Sequence, residues 1–384
     1  MLNFDHAAST PVHPDVIRTI AEVMQVHNGN PSSIHRNGEA SAKLLERSRE
    51  VCAGALGGVK PEEIIFTSGA TESNNLAVKG MLLGRSDGRR HIVTTTIEHA
   101  SVYESCKQME QLGFEVTYVK PQLDGTLSPE DIFAAVRKDT VLVSVMHVNN
   151  ETGAVQPVTE IGRQLKKIQP HVRFHVDGVQ GFAQVPLDLR EAGIDLYSLS
   201  AHKLRGPRGV GLLYIREGIT LFPLLSGGDQ EQGLRAGTEN VASIVGAAKA
   251  FRLVSESRTE RAAKMNLLRE QIIEAVNQHP TLTVTNPQHP SPHIVHFTFP
   301  GLKSEVILHT LEGLGAYVSA QSACSAKTEK PSRVLLSMGR TSEEALSGIR
   351  ISLGDEHEAY DIQQLSKILH QAIDVLQPLE GRKR

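Results

Sequence analysis

Leu196-Tyr-Ser-Leu-Ser-Ala-His-Lys203 reads as a short strand that runs out into two small residues, a histidine and a lysine. Its apolar-patterned part, Leu196 to Leu199, is too short for a helix and is bounded by a loop, which marks a sheet strand. The same pattern recurs on both sides. Ile64 to Thr67, His91 to Thr95, Glu115 to Val119, Thr140 to Val145, Arg173 to Val176 and Gly209 to Ile215 are further candidate strands, several followed by a helical pattern. That alternation predicts an α/β fold with a large, mostly parallel, seven-stranded sheet covered by helices on both faces. Beyond Ser255 the texture changes. A helix bearing Arg258, Glu260, Arg261, Lys264, Arg269 and Glu270 presents a solvated face, and the loop 286–292 follows it. His293 to Phe299 then alternates as a strand, Ser304 to Leu314 reads as a helix, Gly348 to Ser352 as a strand and Asp361 to Leu376 as an amphipathic helix. We expect a large domain over 13–257 and a smaller α+β domain built from 1–12 and 258–384, which carries the loop with Cys324 at about 318–332.

A chain of 384 residues, 40% of them hydrophobic, has enough material for two cores. Its net charge of −3, from 40 basic and 43 acidic residues, gives no electrostatic reason for direct binding to nucleic acid or to a membrane surface. The start, Met-Leu-Asn-Phe-Asp-His6, has neither a basic nor an apolar leader pattern, and no apolar run approaches the ~18 residues of a membrane span. The expectation is a cytoplasmic protein. Three cysteines, Cys52, Cys106 and Cys324, show neither disulfide nor metal-ligand spacing. No intrinsic metal site is expected, though an iron–sulfur cluster held transiently would use Cys324.

Three loops could carry chemistry. Thr67-Ser-Gly-Ala-Thr-Glu-Ser-Asn74 joins a strand to a helix, where free amides, the helix dipole and the Thr71 hydroxyl suit an anion, although such a turn is more often a simple helix cap. His175-Val-Asp-Gly-Val-Gln180 ends a strand on Asp177, which could pair with a protonated ring nitrogen or merely form the turn. Lys203, beside Ser200 and His202, could form an imine with an aldehyde cofactor, whereas most lysines lie at the surface. An anion loop, an acid for a pyridinium nitrogen and an aldehyde-trapping lysine, all at strand ends, together describe a pyridoxal-phosphate pocket.

The chain resembles the fold-type I pyridoxal-phosphate enzymes, and among them the NifS/IscS-like cysteine desulfurases. The resemblance runs through Asp5-His-Ala-Ala-Ser-Thr10, Gly29-Asn-Pro-Ser-Ser-Ile-His35, Ser68-Gly-Ala-Thr-Glu72, Glu98-His99 and Asn149-Asn-Glu-Thr-Gly153. It continues with Asp177-Gly-Val-Gln180, Ser200-Ala-His-Lys203, Arg235-Ala-Gly-Thr-Glu-Asn240, Ser322-Ala-Cys-Ser325 and Arg350-Ile-Ser-Leu-Gly354.

The resemblance implies that Ala70, Thr71, Ser200 and His202 hold the cofactor's phosphate, with Thr238 reaching across a homodimer into the partner's pocket. It gives Gln180 the phenolic oxygen, Asp177 the ring nitrogen, His99 a stacking and acid–base role, Asn150 a contact to the cofactor, and Asn150 and Arg350 the α-carboxylate of L-cysteine. Cys324 would receive the sulfur as a persulfide and pass it to an acceptor protein, an iron–sulfur scaffold or a tRNA sulfurtransferase. It lies among small and polar residues, as a mobile loop requires, with Gln321 where relatives usually carry glycine. A selenocysteine lyase, an aminotransferase and a non-catalytic scaffold are the alternatives on the same fold.

Overall fold

Every candidate strand is a strand, and the seven between residues 64 and 215 form one sheet. The protein is represented by a computed structural model that describes residues 1–320 and 330–379. The chain opens with β1 (Leu2–Asn3), α1 (Pro14–Val26) and α2 (Arg36–Ala55), then alternates through β2 (Ile64–Thr67), α3 (Ala70–Leu83), β3 (His91–Thr95), α4 (Ala100–Gln111) and β4 (Glu115–Val119). Next come α5 (Pro129–Ala135), β5 (Thr140–Met146), α6 (Val158–Ile168), β6 (Arg173–Asp177), β7 (Leu196–Ser200) and β8 (Gly211–Ile215). The long α7 (Val241–Asn277) leads to β9 (Thr283–Thr285), β10 (Ile294–Thr298), α8 (Ser304–Gly313) and β11 (Ala316–Tyr317). The described chain closes with α9 (Arg333–Ser337), α10 (Ser342–Leu346), β12 (Gly348–Ser352) and α11 (Ala359–Leu376).

The large sheet has the order β2-β8-β7-β6-β5-β3-β4. Its strands run parallel except β8, which is antiparallel to both β7 and β2. The reversal has a simple cause. Residues 201–210 join β7 to β8 without a helix long enough for a crossover, so the chain returns antiparallel. Strands β3, β5 and β7 are buried along their whole length, which is why they read as continuous runs, whereas β4 lies at the edge and is partly exposed.

Two smaller sheets complete the fold: β12-β10-β9, antiparallel, and the parallel pair β1-β11. Helix α7 contributes to two cores. Val241 to Val254 pack on the large sheet with Phe66 and Phe182, while Met265, Leu268, Ile272 and Val276 pack with Phe4, Phe297 and Ile351. The consequence for chemistry is positional: β2, β6 and β7 end at the same edge of the sheet, and their following loops share one crevice. Pairing of Asp177 with Ser198 sets the Asp177 carboxyl close to the end of β7, where Ser200 and Lys203 follow. Among the described residues, no helix is long and apolar enough to cross a membrane.

Candidate active site

The crevice holds a cavity of ≈ 460 Å³. One end of it is the start of α3. No side chain caps this helix, and its first internal bond runs from Ser73 N to Gly69 O at 3.1 Å. The amides of Ala70, Thr71 and Glu72 therefore have no helical acceptor, and all three residues line the cavity. The alternative of an ordinary Ser/Thr cap is not realised. A Cβ built on Gly69 would meet nothing within 4 Å, so the backbone here borders open space of the kind an anion fills. Ser200, His202 and Arg208 line the same cavity. Burial, helped by Lys203 and Arg208, pushes His202 down to about 4, so the ring is neutral near pH 7 and the positive potential comes from Arg208 and the helix end.

Asp177 ends β6 and is buried. One carboxylate oxygen accepts the Val179 amide at 3.1 Å, the turn contact expected of such a residue. The other accepts Asn74 Nδ2 at 2.8 Å, and Asn74 also donates to Ser101 Oγ at 2.8 Å. Both oxygens of the aspartate thus accept hydrogen bonds, which fixes the direction of the side chain at the cavity wall. His99 caps α4: its Nδ1 accepts the Ser101 amide at 3.2 Å, so the neutral ring carries its proton on Nε2. Burial lowers the His99 pKa, with Lys203 and Arg333 adding to the effect and Asp177 opposing it.

Lys203 Nζ donates to the carbonyls of Ala7 and Ala8, 2.5 Å from each. Gln180 Nε2 donates to the same Ala7 carbonyl at 3.0 Å, and Gln180 Oε1 faces His293 Nε2 at 3.1 Å. The N-terminal segment is therefore one wall of the site. Arg350, 1% exposed in the middle of β12, donates through Nη1 to Asn150 O at 2.7 Å and through Nη2 to Asp5 Oδ1 at 2.8 Å. Its Nε is buried with no partner among the described residues, and its guanidinium retains donors for a carboxylate.

An uncapped helix end, a held carboxylate, a lysine amine and a guanidinium fit a phosphorylated pyridine aldehyde bearing an amino acid. Comparison with known proteins agrees. The aminotransferase class-V family model matches residues 2–365. The chain belongs to that family. A cysteine desulfurase IscS of Dictyoglomus turgidum is 39% identical over 99% of this chain and 96% of its own length. A putative cysteine desulfurase IscS 1 of Bacillus subtilis is 41% identical over 94% of this chain and 96% of its own. A solved NifS-like protein superposes with a TM-score of 0.92 at 36% identity, covering 98% of this chain and all of the other. This class-V aminotransferase is of the NifS/IscS-like kind, and its cofactor is pyridoxal 5′-phosphate.

The cavity of this NifS/IscS-like chain gathers Ala70, Thr71, His99, Asn150, Asp177, Gln180, Ser200, His202, Lys203 and Arg350 from the sequence-predicted set. Thr238 is exposed and does not line it. Cys324, and Gln321 with it, lie outside the described residues. The described chain on either side is tied to the site: Ser319 exchanges backbone bonds with Arg350 at 2.7 and 3.1 Å, and Ser332 Oγ donates to Glu151 Oε2 at 2.6 Å. Cys52 and Cys106 are buried, and burial pushes the Cys52 thiol far above its usual range and Cys106 up to about 12.

Sequence reasoning missed Asn74, Ser101, Arg208 and the carbonyls of Ala7 and Ala8. Asn74 had a signal, being one turn beyond Ala70 on the same helix face. The carbonyls had none, since any residue supplies one.

Proposed function

We propose that the chain is a cysteine desulfurase that converts L-cysteine to L-alanine and leaves the sulfur on Cys324 as a persulfide. The reading is carried by one observation: the α3 N-terminus, Asp177, Lys203 and Arg350 line a single cavity. Pyridoxal phosphate bound there supplies an electron sink beside the substrate's Cα. The amides of Ala70 and Thr71, with Ser200 and His202, would hold its phosphate, Asp177 would keep a proton on its ring nitrogen, and Gln180 would face its phenolic oxygen.

The chain's own groups do the rest. Arg350, fixed by Asp5 and the Asn150 carbonyl, holds the α-carboxylate and so orients the Cα–H bond toward Lys203. The Lys203 amine takes the Cα proton, and the Ala7 and Ala8 carbonyls steady the resulting ammonium. His99 exchanges protons through Nε2 with the substrate thiol. The Cys324 thiolate attacks the substrate sulfur; the S–S bond forms as the C–S bond breaks. A thiol plus cysteine gives a persulfide plus alanine, so no outside oxidant is needed. The other two cysteines of the chain are too deeply buried and too weakly acidic to serve.

Replacement of Cys324→Ser tests this. With cofactor and L-cysteine, the variant should bind cofactor normally, judged by its visible absorption, yet lose alanine formation and transferable sulfur by at least ~100-fold. Full turnover in the variant sinks the assignment.

The exposure of Thr238 supports a place for it in the partner's pocket of a homodimer. The change of core along α7, between Val254 and Met265, supports the division into 13–257 and 1–12 with 258–384. A cytoplasmic protein handing sulfur to an iron–sulfur scaffold or a tRNA sulfurtransferase is consistent with this donor chemistry.

A further inference from the structure

A second cavity, of ≈ 20 Å³, shares Val179, Gln180 and Lys203 with the cofactor cavity. Four residues around it carry a buried side-chain nitrogen or oxygen with no partner among the described residues: His6 Nδ1, Gln184 Oε1, Arg205 Nε and His293 Nδ1. Hydrogen-bond logic assigns their roles. Gln180 Nε2 donates to Ala7 O, so its other end is the oxygen, and His293 Nε2 must donate to it. His293 Nδ1 is then a lone pair in need of a donor. Burial, with Arg261, Arg350 and His6 adding to it, pushes His293 down to about 3, in keeping with a neutral ring.

Gln184 Oε1 is a second acceptor and Arg205 Nε a donor. His6 Nε2 lies 2.5 Å from Glu356 Oε1, and His6 Nδ1 is a donor or an acceptor according to the tautomer. Two acceptors and up to two donors are the complement of one tetrahedral water, and the space matches the ~10–15 Å³ that one water requires. Arg205, Arg261 and Lys203 outnumber Asp355, the carboxylate of the lining, which is already paired with both arginines, and so disfavour a cation. Arg205 also holds a left-handed backbone, φ 59°, a conformation that a non-glycine residue keeps only where its surroundings demand it.

We propose that this cavity is a built site for a single water molecule, and that through His293 this water locks the Gln180 amide with its NH₂ turned toward the cofactor. His293 and Gln184 are thus positioning residues. The second half of the proposal rests on the reading of Gln180 as the contact to the phenolic oxygen; the first half does not. Without the water, His293 could turn its proton to the cavity, and the Gln180 amide would lose the partner that fixes its direction.

The test uses the holoenzyme. A high-resolution crystal structure should show one water peak within hydrogen-bond distance of His293 Nδ1 and the Gln184 side chain. In solution, the pH midpoint of the bound cofactor's visible absorption should rise in His293→Leu by about one unit, a tenfold change in proton affinity. A donor on the phenolic oxygen weakens that oxygen's hold on the proton it shares with the lysine link, so losing the donor raises the midpoint. His293→Gln, which can donate to Gln180 and accept from the water, should restore the midpoint.

No water peak, a coordinated metal ion in its place, or an unchanged midpoint in His293→Leu would overturn the proposal. The water peak is present or absent whatever the enzyme does with cysteine, so its failure stays distinct from that of the desulfurase reading.

Discussion

Glu98 shows how much a neighbour of the catalytic apparatus can hide in plain sequence. It precedes His99, is 1% exposed, and accepts Thr95 Oγ1 at 2.7 Å and the Met146 amide at 2.9 Å through one oxygen, while the other has no partner among the described residues. Burial raises its pKa from 4.5 to about 8, with Asp177 adding to it and the two hydrogen bonds opposing. The sign of the stability effect follows. Between pH 4.5 and 8 the unfolded chain has released this proton and the folded chain keeps it, so folding is increasingly penalised as pH rises through that window. Glu98→Gln removes the titration. Its Tm, measured against the unaltered protein, should gain progressively from pH 5 to pH 8 and level off above; a difference independent of pH would refute a buried neutral acid.

The strands were legible in the sequence because burial on both faces writes them as short apolar runs. The reversed β8 was legible as a strand but not in its direction, which depends on the length of the preceding loop. The uncapped start of α3 was legible only as a possibility, since Ser, Thr and Gly there suit a cap as well as a cradle. What settles it is a tertiary contact: a Cβ on Gly211, the first residue of β8, would lie 2.4 Å from the Gly69 carbonyl carbon and 2.7 Å from Thr67 Oγ1. Backbone against backbone cannot yield without moving the loop. Gly211→Ala should therefore cost about 1–3 kcal/mol of stability. It should also weaken cofactor binding, since the loop carries the Ala70 and Thr71 amides. Differential scanning fluorimetry and a cofactor titration read the two effects separately, and a variant with unchanged cofactor affinity would show that the loop is not held by β8.

At the scale of the whole molecule, the segment before α1 does what neither core can do alone. Its β1 strand pairs with β11, and Phe4 sits in the core with Phe297 and Ile351, fully buried and stacked 4.4 Å from the His357 ring. Phe4 also exchanges backbone bonds with the small sheet side, donating to Tyr317 O at 2.8 Å and accepting from Ser352 N at 2.7 Å. Three and four residues later, the Ala7 and Ala8 carbonyls hold Lys203 at the end of β7. Asp5, between them, pairs with Arg350. The lysine and the carboxylate clamp are thus aligned by one short stretch whose own anchor is the Phe4 ring. Nothing in its composition announces the hold on Lys203, because those contacts are made by backbone carbonyls. Phe4→Ala should lower stability by about 3–5 kcal/mol through loss of buried ring contacts. More tellingly, it should weaken cofactor retention and raise the KM for cysteine together, because both partners of the segment lose their alignment at once. A variant that melts earlier yet keeps both constants would mean that the segment merely fills the smaller core and does not align the site.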